Sequence, residues 1–363
     1  MDSLIEYLKL VKDFRRKQGQ KYPLWWILLI VILGLMAGHL GYRALGGFAK
    51  SQQQTFTEFF KLRLKKAPSY STIRRAIQGV DWAELIGVFN QWATQLEISN
   101  DEARWLAVDG KSLKSTLQYY CQNRQNFVSM VSVFCQENGL VLALGKFENK
   151  HCSEIHQVQE MVRALPLEKK VFTLDALHCQ KQTVETITAS GNDYLIAVKK
   201  NQKGLYKRLQ LDAQTAVPLS TYQSQDNSHG RRITRQVSVF KTPHEVQSLW
   251  VNAQSFIQVQ RCGTRGTKLY QETAYYISSR QENAQIFARA IQGHWRIENQ
   301  LHWVKDVIFQ EDKSLVFQFQ PAINFSVLST IALNLLRILG FVSVTEGRRW
   351  LSGNVWRLMI LLA

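Results

Sequence analysis

Apolar residues at Leu4, Ile5, Leu8, Leu10 and Val11 recur at helical spacing. The same period predicts helices over Ala44 to Phe60 and Thr72 to Leu96, so residues 1–98 read as helical, with few strand signals. Between them Leu24 to Gly38, LWWILLIVILGLMAG, is an unbroken uncharged run, shorter than the roughly 20 residues that cross a bilayer. Its length predicts a buried helix; a signal peptide and a membrane anchor are the competing readings. From Arg104 the pattern becomes strand-like: WLAVDG, FVSMVSVFC and VLALGKF, the last two separated by Gln136-Glu137-Asn138-Gly139, a hairpin signal. A helix over about Ser153 to Leu165, the strand VFTLDA, a helix over about Cys179 to Ala189 and the strand DYLIAVKK come next. The order β-β-β-α-β-α-β predicts an α/β fold, a mixed sheet covered by helices, in which the first and fourth strands can be neighbours. About 215–280 reads as a β-rich insertion, with QVSVF, SFIQVQR and LYQETAYYISS. Helix returns from Ala284 to about Asp306, and apolar helices over Asn324 to Leu339 and Val355 to Leu362 should pack on the sheet.

Composition narrows the partners. The 363 residues carry 45 Lys+Arg against 28 Asp+Glu, a net charge of +17, with 45% hydrophobic residues. That apolar share excludes a disordered or collagen-like chain. The surplus positive charge favours polyphosphate, because binding releases condensed counterions, so DNA is the leading partner. Cysteines 121, 135, 152, 179 and 262 are scattered, with no Cys-x-x-Cys pair, which suits a reducing cytoplasm better than a disulfide framework. Lys61, Arg63, Lys65 and Lys66 lead into Pro68-Ser69-Tyr70-Ser71, where Ser71 is the expected N-cap of a helix presenting Arg74 and Arg75. Helix-turn-helix modules meet DNA in this way, and a merely solvated basic face fits the same residues.

Candidate chemistry lies where strands end. Asp109 closes WLAVDG and Asp175 closes VFTLDA, and both can meet at one edge of the sheet. Converging carboxylates repel unless a cation neutralises them, and hard oxygen ligands suit Mg²⁺ or Mn²⁺. In an α-helix Glu298 would share a face with His294, His302 and Lys305. Three acids of this kind can hold two metals about 3.5–4 Å apart for in-line displacement at phosphorus, with Lys305 on a substrate phosphate. Asp306, Glu311 or Asp312 are alternative third acids, and His294, Glu298 and His302 could instead ligate zinc. Lys111, Lys199 and Asn201 flank the strand ends, His302 can hydrogen-bond a carboxylate or the scissile phosphate, and Arg231 and Arg232 open a basic insertion strand; all are candidate DNA contacts. Trp295 and Trp303 read as core before base-stacking residues.

AVDGKSLK (107–114), TLDALHCQK (173–181), DYLIAVKKNQ (193–202) and HWRIENQLHWVKDVIFQED (294–312) resemble the blocks of DDE transposases of bacterial insertion sequences, in the subgroup of the H-repeat-associated proteins of Rhs elements. DFRRKQGQKYPL and PSYSTIRRAI resemble the domain that precedes the catalytic one in that subgroup. The resemblance covers nearly the whole chain. It implies a ribonuclease-H-like catalytic domain over 99–340 with the β-rich insertion, a helical N-terminal associated domain over 1–98 that binds DNA, and a helical tail over 341–363. It places the acidic triad on Asp109, Asp175 and Glu298, with Lys305 matching the Glu-x6-Lys part of a family signature. The Tyr and Arg of that signature are replaced by Ile291 and His294, leaving Arg289 or Arg296 to supply the missing guanidinium. It further implies Mg²⁺ or Mn²⁺ as two ions, cleavage of transposon ends followed by strand transfer, an insertion used for DNA contact and hairpin handling, a homodimer on DNA, no membrane, and a bacterial cytoplasm at the nucleoid. A copy that binds DNA without catalysis, or a nuclease of the same fold without strand transfer, are the rival expectations.

Overall fold

The computed structural model of the chain describes residues 4–61, 65–96, 105–117, 125–227, 231–265, 268–356 and 359. The expected boundary at 98/99, the side chain of Arg231 and most of the expected last helix after Val355 lie outside the described residues. Among the described residues six α-helices come first: α1 (Leu4–Leu10), α2 (Leu24–Met36), α3 (Tyr42–Ser51), α4 (Gln53–Phe60), α5 (Tyr70–Gly79) and α6 (Trp82–Gln95). Two of the expected long helices are thus each divided. The single helix expected over Thr72 to Leu96 breaks at Val80-Asp81 because the Asp81 carboxylate accepts from the Ala83 N–H and starts a new one. The cap of α5 is Ser69, whose side chain accepts from Thr72, rather than the expected Ser71.

Among the described residues nine strands come after them: β1 (Trp105–Ser112), β2 (Val128–Cys135), β3 (Val141–Glu148), β4 (Val171–Leu174), β5 (Asp193–Val198), β6 (Ser220–Asp226), β7 (Arg231–Lys241), β8 (Ser255–Arg265) and β9 (Lys268–Ser278). They form one sheet in the order β3-β2-β1-β4-β5-β9-β8-β7-β6. β3-β2-β1 is antiparallel and β1-β4-β5 parallel, with β1 and β4 neighbours as expected; this is the ribonuclease-H-like arrangement. β9 pairs with β5, so the insertion extends the central sheet instead of forming a separate one. Between the strands lie α7 (Glu154–Ala164), α8 (Lys181–Ala189), α9 (Lys203–Thr215) and the short α10 (His244–Gln247); α11 (Ala284–His294), α12 (Phe319–Ile338) and α13 (Val344–Ser352) close the chain.

Every residue of β2 is buried because the sheet is covered on both faces. Val128, Met130 and Phe134 face a core shared with α2, α6 and α12, whereas Val131, Val133 and Cys135 face a second core with α7 and α8. Lys17–Met36, which contains α2, and α12 are long and apolar enough to cross a membrane by length and composition, yet both are mostly buried inside the fold. The edge strand β3 is capped by side chains. Asn90 of α6 bonds both backbone groups of Leu144, and Asn334 of α12 both groups of Val141, which removes pairing positions an open edge would expose.

Candidate functional site at the ends of β1 and β4

Asp109 is not at a strand end as expected: it pairs with Ser132 and β1 runs on to Ser112 beside β2, so alternation along the strand decides what meets Asp109. Ala107 points into the core of α2 and α12, so Asp109, two residues on, shares that face with the helix that continues from α11; Leu106 and Val108 point to the other core, and Gly110 continues their alternation. Asp175 leaves β4 and caps a 3₁₀ turn, its carboxylate accepting from Leu177 at 2.9 Å. Asn201 donates to the Ala176 carbonyl at 2.6 Å and braces that turn.

Glu298 does not stand on an α-helix. After α11 the chain winds as π-helix over Ile297–His302 and again over Val304–Ile308. Bonds of the i→i+5 kind widen the turn, so the α-helical register that would align Glu298 with Lys305 is lost. Ile297, Leu301 and Val304 enter the core, and Glu298 is left exposed at the rim of a cavity of about 950 Å³. Asp109, Asp175 and Glu298 all line this cavity, together with His294, Trp295, Lys199, Lys200, Arg261 and Tyr276. The three acids that the spacing and the resemblance single out therefore open on one space.

Burial, then the charge of Glu154, and then those of Asp175 and Glu298 push the Asp109 carboxyl up to about 7. His302 Nδ1 lies 3.5 Å from Asp109 Oδ2, and burial followed by the charges of Lys305 and Lys111 lowers this imidazole to about 4. His294 is likewise lowered to about 4, chiefly by burial, with Nδ1 3.0 Å from Thr173 Oγ1. Among the described residues no lysine or arginine pairs with Asp109, Asp175, Glu298 or Glu154. Nor do any three His, Cys, Asp or Glu close a ready-made metal cage there, the His294-Glu298-His302 zinc set included. The donors are oxygens without internal cations, a set that fits a hard divalent ion.

A stability measurement checks the Asp109 environment. The folded carboxyl keeps its proton up to about pH 7 while the unfolded one releases it near 3.8, so the contribution is fully present below about pH 4 and is lost as pH rises to about 7. It amounts to roughly 4 kcal/mol at most. Without metal, urea midpoints of the wild type should fall over that range relative to Asp109→Asn, which lacks the group; parallel curves would show that Asp109 is not held this way.

The remaining candidates separate. Lys199 is exposed at the cavity, and Arg74, Arg75 and Arg232 are exposed elsewhere. Lys111 is not free for DNA: its Nζ lies 2.7 Å from Asp306, 3.1 Å from Glu311 and 3.2 Å from Asp312. Those three alternative third acids are thus spent on lysines, Asp312 also meeting Lys114 at 2.7 Å. Lys305 does not reach the cavity; it is 2% exposed, with Nζ 2.6 Å from Ser326 Oγ and 3.2 Å from Glu311. Trp295 and Trp303, expected in the core, are exposed because Ile297, Leu301 and Val304 take the inward positions. Arg296 donates to the Gln136 carbonyl at 2.8 Å, away from the cavity role expected of it.

Sequence reasoning misses two groups. Arg261 reaches the cavity from β8, paired across the ladder with Glu272 at 3.0 Å. No local motif marks it, since only the pairing of β9 with β5 carries the insertion to the acids. Glu154, in the first turn of α7, lies against Gly110 of β1. Its only local sign is the N-cap Ser153 before it.

A family model described as Transposase DDE domain matches residues 101–335, and one described as DDE_Tnp_1-associated matches residues 5–93. Among curated proteins the chain is similar to "Putative transposase YncI" of Escherichia coli O157:H7, 31% identical over 93% of this chain and 88% of that protein. It is also similar to "H repeat-associated putative transposase YhhI" of Escherichia coli K12, 28% identical over 93% of this chain and 90% of that one.

Proposed function

The chain belongs to the DDE transposase family, and on that premise we propose that it cuts the ends of an insertion sequence and joins them to target DNA at the cavity bounded by Asp109, Asp175 and Glu298. One observation carries the reading. These acids share a space with no lysine or arginine paired to them among the described residues, while three lysines neutralise the three acids of the neighbouring cluster. The missing positive charge is to come from outside the chain.

Asp109, Asp175 and Glu298 would hold divalent cations, Mg²⁺ or Mn²⁺, which supply activation of the attacking oxygen and neutralisation of charge on the leaving one. The chain's own residues do the rest. Lys199, Lys200 and Arg261 ring the cavity where a phosphodiester backbone would lie, and the exposed indole of Trp295 offers an unpaired base a stacking face. Neutral His302 beside Asp109 adds no positive charge to compete with a cation for that carboxylate. Water displaces a 3′-oxygen from phosphorus to free the transposon 3′-hydroxyl; this hydroxyl then attacks a target phosphate, which releases a target 3′-hydroxyl. Two ends must be held together for joining, which a homodimer on DNA accomplishes; Arg74 and Arg75 are the contacts proposed for the helical region.

The test is a supercoiled plasmid carrying the gene and its native flanks, incubated with the protein in Mg²⁺ or Mn²⁺. Cuts at the flanks together with joined products support the reading. Cuts without joining favour a nuclease, and binding without cuts a silent DNA-binding protein. Arg261 is tested apart: Arg261→Gln should weaken binding to the end sequence by about tenfold and reduce the salt slope of log K by roughly 1, as loss of one phosphate contact does. An unchanged slope would leave Arg261 as a ladder partner of Glu272 only.

A further inference from the structure

Asp109 points to the cavity from one face of β1, and a fourth carboxylate approaches the strand at Gly110 from the other. Glu154 sits under Gly110: a Cβ on residue 110 would come 2.5 Å from Glu154 Oε2 and 3.0 Å from Oε1. A side chain on residue 110 would push the carboxylate away from the strand that carries Asp109. The φ of Gly110 is not positive, so what the glycine supplies here is space and not backbone conformation.

Glu154 is also held in place from behind. His178, 1% exposed, lies at the turn after Asp175, with Nε2 3.1 Å from Glu154 Oε1. Its Nδ1 is buried without a hydrogen-bond partner, so among the described residues Glu154 is the one group that hydrogen-bonds this imidazole. Oε2 is left toward Gly110. A half-buried carboxylate so placed, with no lysine or arginine paired to it among the described residues, repels the charge of Asp109, and a divalent cation held between the two would relieve that repulsion.

We propose that Glu154 is a fourth acidic residue of this site, holding divalent cation together with Asp109, and that His178 is its positioning residue. The inference rests on the reading of Asp109, Asp175 and Glu298 as the cation site and adds to it a group from the opposite face of the sheet. Outer partners that orient a metal-bound carboxylate commonly govern affinity by about 10- to 100-fold, and His178 stands in that relation to Glu154.

The measurement is a Mn²⁺ titration of the full-length protein, read by electron paramagnetic resonance of the free ion, with melting temperature as a second readout. Glu154→Gln keeps the shape and an acceptor for His178, and should weaken Mn²⁺ binding by about tenfold or more. Without metal its melting temperature should hold or rise, since a like charge beside Asp109 is gone, and its gain on adding Mn²⁺ should shrink. Gly110→Ala, which keeps the charge but displaces the carboxylate, should weaken Mn²⁺ in the same direction. Asp175→Asn serves as the reference for the site itself. If Asp175→Asn loses Mn²⁺ and Glu154→Gln binds it like the wild type, or merely melts lower or fails to fold, Glu154 is a structural partner of His178 and the inference is overturned. If neither variant alters Mn²⁺ binding, the cation-site reading falls with it.

Discussion

Asp175→Asn should abolish both end cleavage and strand transfer, by at least about a thousandfold, and leave the fold intact. A cation's stabilisation of charge at a reacting phosphorus is worth several kcal/mol, and each 1.36 kcal/mol is tenfold in rate. The exposed carboxylate contributes little to packing: its one hydrogen bond among the described residues is the cap to Leu177, which an asparagine oxygen also accepts. Circular dichroism and the urea midpoint should therefore match the wild type. Cleavage and joining should fall together, because both are displacements at phosphorus in the same cavity. A variant that still cuts but no longer joins would mean that Asp175 acts on only one step, and one that does both would remove it from the site. DNA binding gives the internal control. Removing a negative charge near the backbone path should leave affinity equal to or above that of the wild type, so loss of products cannot be traced to loss of substrate.

Each element is legible in the chain to the extent that its cause is local. The central strands are readable because β1, β2 and β3 have their apolar residues on both faces and a hairpin signal between β2 and β3. The parallel contact of β1 with β4 comes from their order, and it is what brings the loop of Asp175 beside Asp109. The breaks at Gln52 and at Val80-Asp81 escape a periodicity reading because the apolar period carries across them, whereas the caps that divide the helices are single-residue events. The π-helix is beyond reach for a related reason. Helical faces projected from Glu298 assume α-helical spacing, and each added residue per turn rotates every later side chain about the axis. Glu298 itself, close to the start of the winding, stays at the cavity; Lys305, seven residues later, turns into the core. Arg261 and Glu154 depend on contacts distant in sequence, the β9 to β5 pairing and the approach of α7 to Gly110, and no spacing rule reaches them.

Lys305 leads to the second large effect, which is on stability. Lys111, Lys114 and Lys305 face Asp306, Glu311 and Asp312, three charges against three, and this cluster joins the exit of β1 to the chain beyond the π-helix. Glu311 is its centre, with Lys305 3.2 Å from Oε1 and Lys111 3.1 Å from Oε2. Against its burial, the two lysines hold this carboxyl below its ordinary range, and burial pulls the Lys305 ammonium below its own. Lys305→Met or Glu311→Gln alone leaves a buried charge short of its partner and should cost about 3–5 kcal/mol, read as a lower urea midpoint. Lys305→Met with Glu311→Leu should cost less than the sum of the two single losses, since no charge is stranded between them. Activity should fail in the single variants at temperatures below their unfolding, because the cluster fixes the π-helix that carries Glu298 relative to Asp109, two residues before Lys111. A phosphate-contacting Lys305 would behave in the opposite way: Lys305→Met would then keep the wild-type midpoint and lose DNA affinity with a smaller salt slope. The ammonium at 2.6 Å from Ser326 Oγ and 3.3 Å from Thr330 Oγ1, enclosed by α12, favours loss of stability.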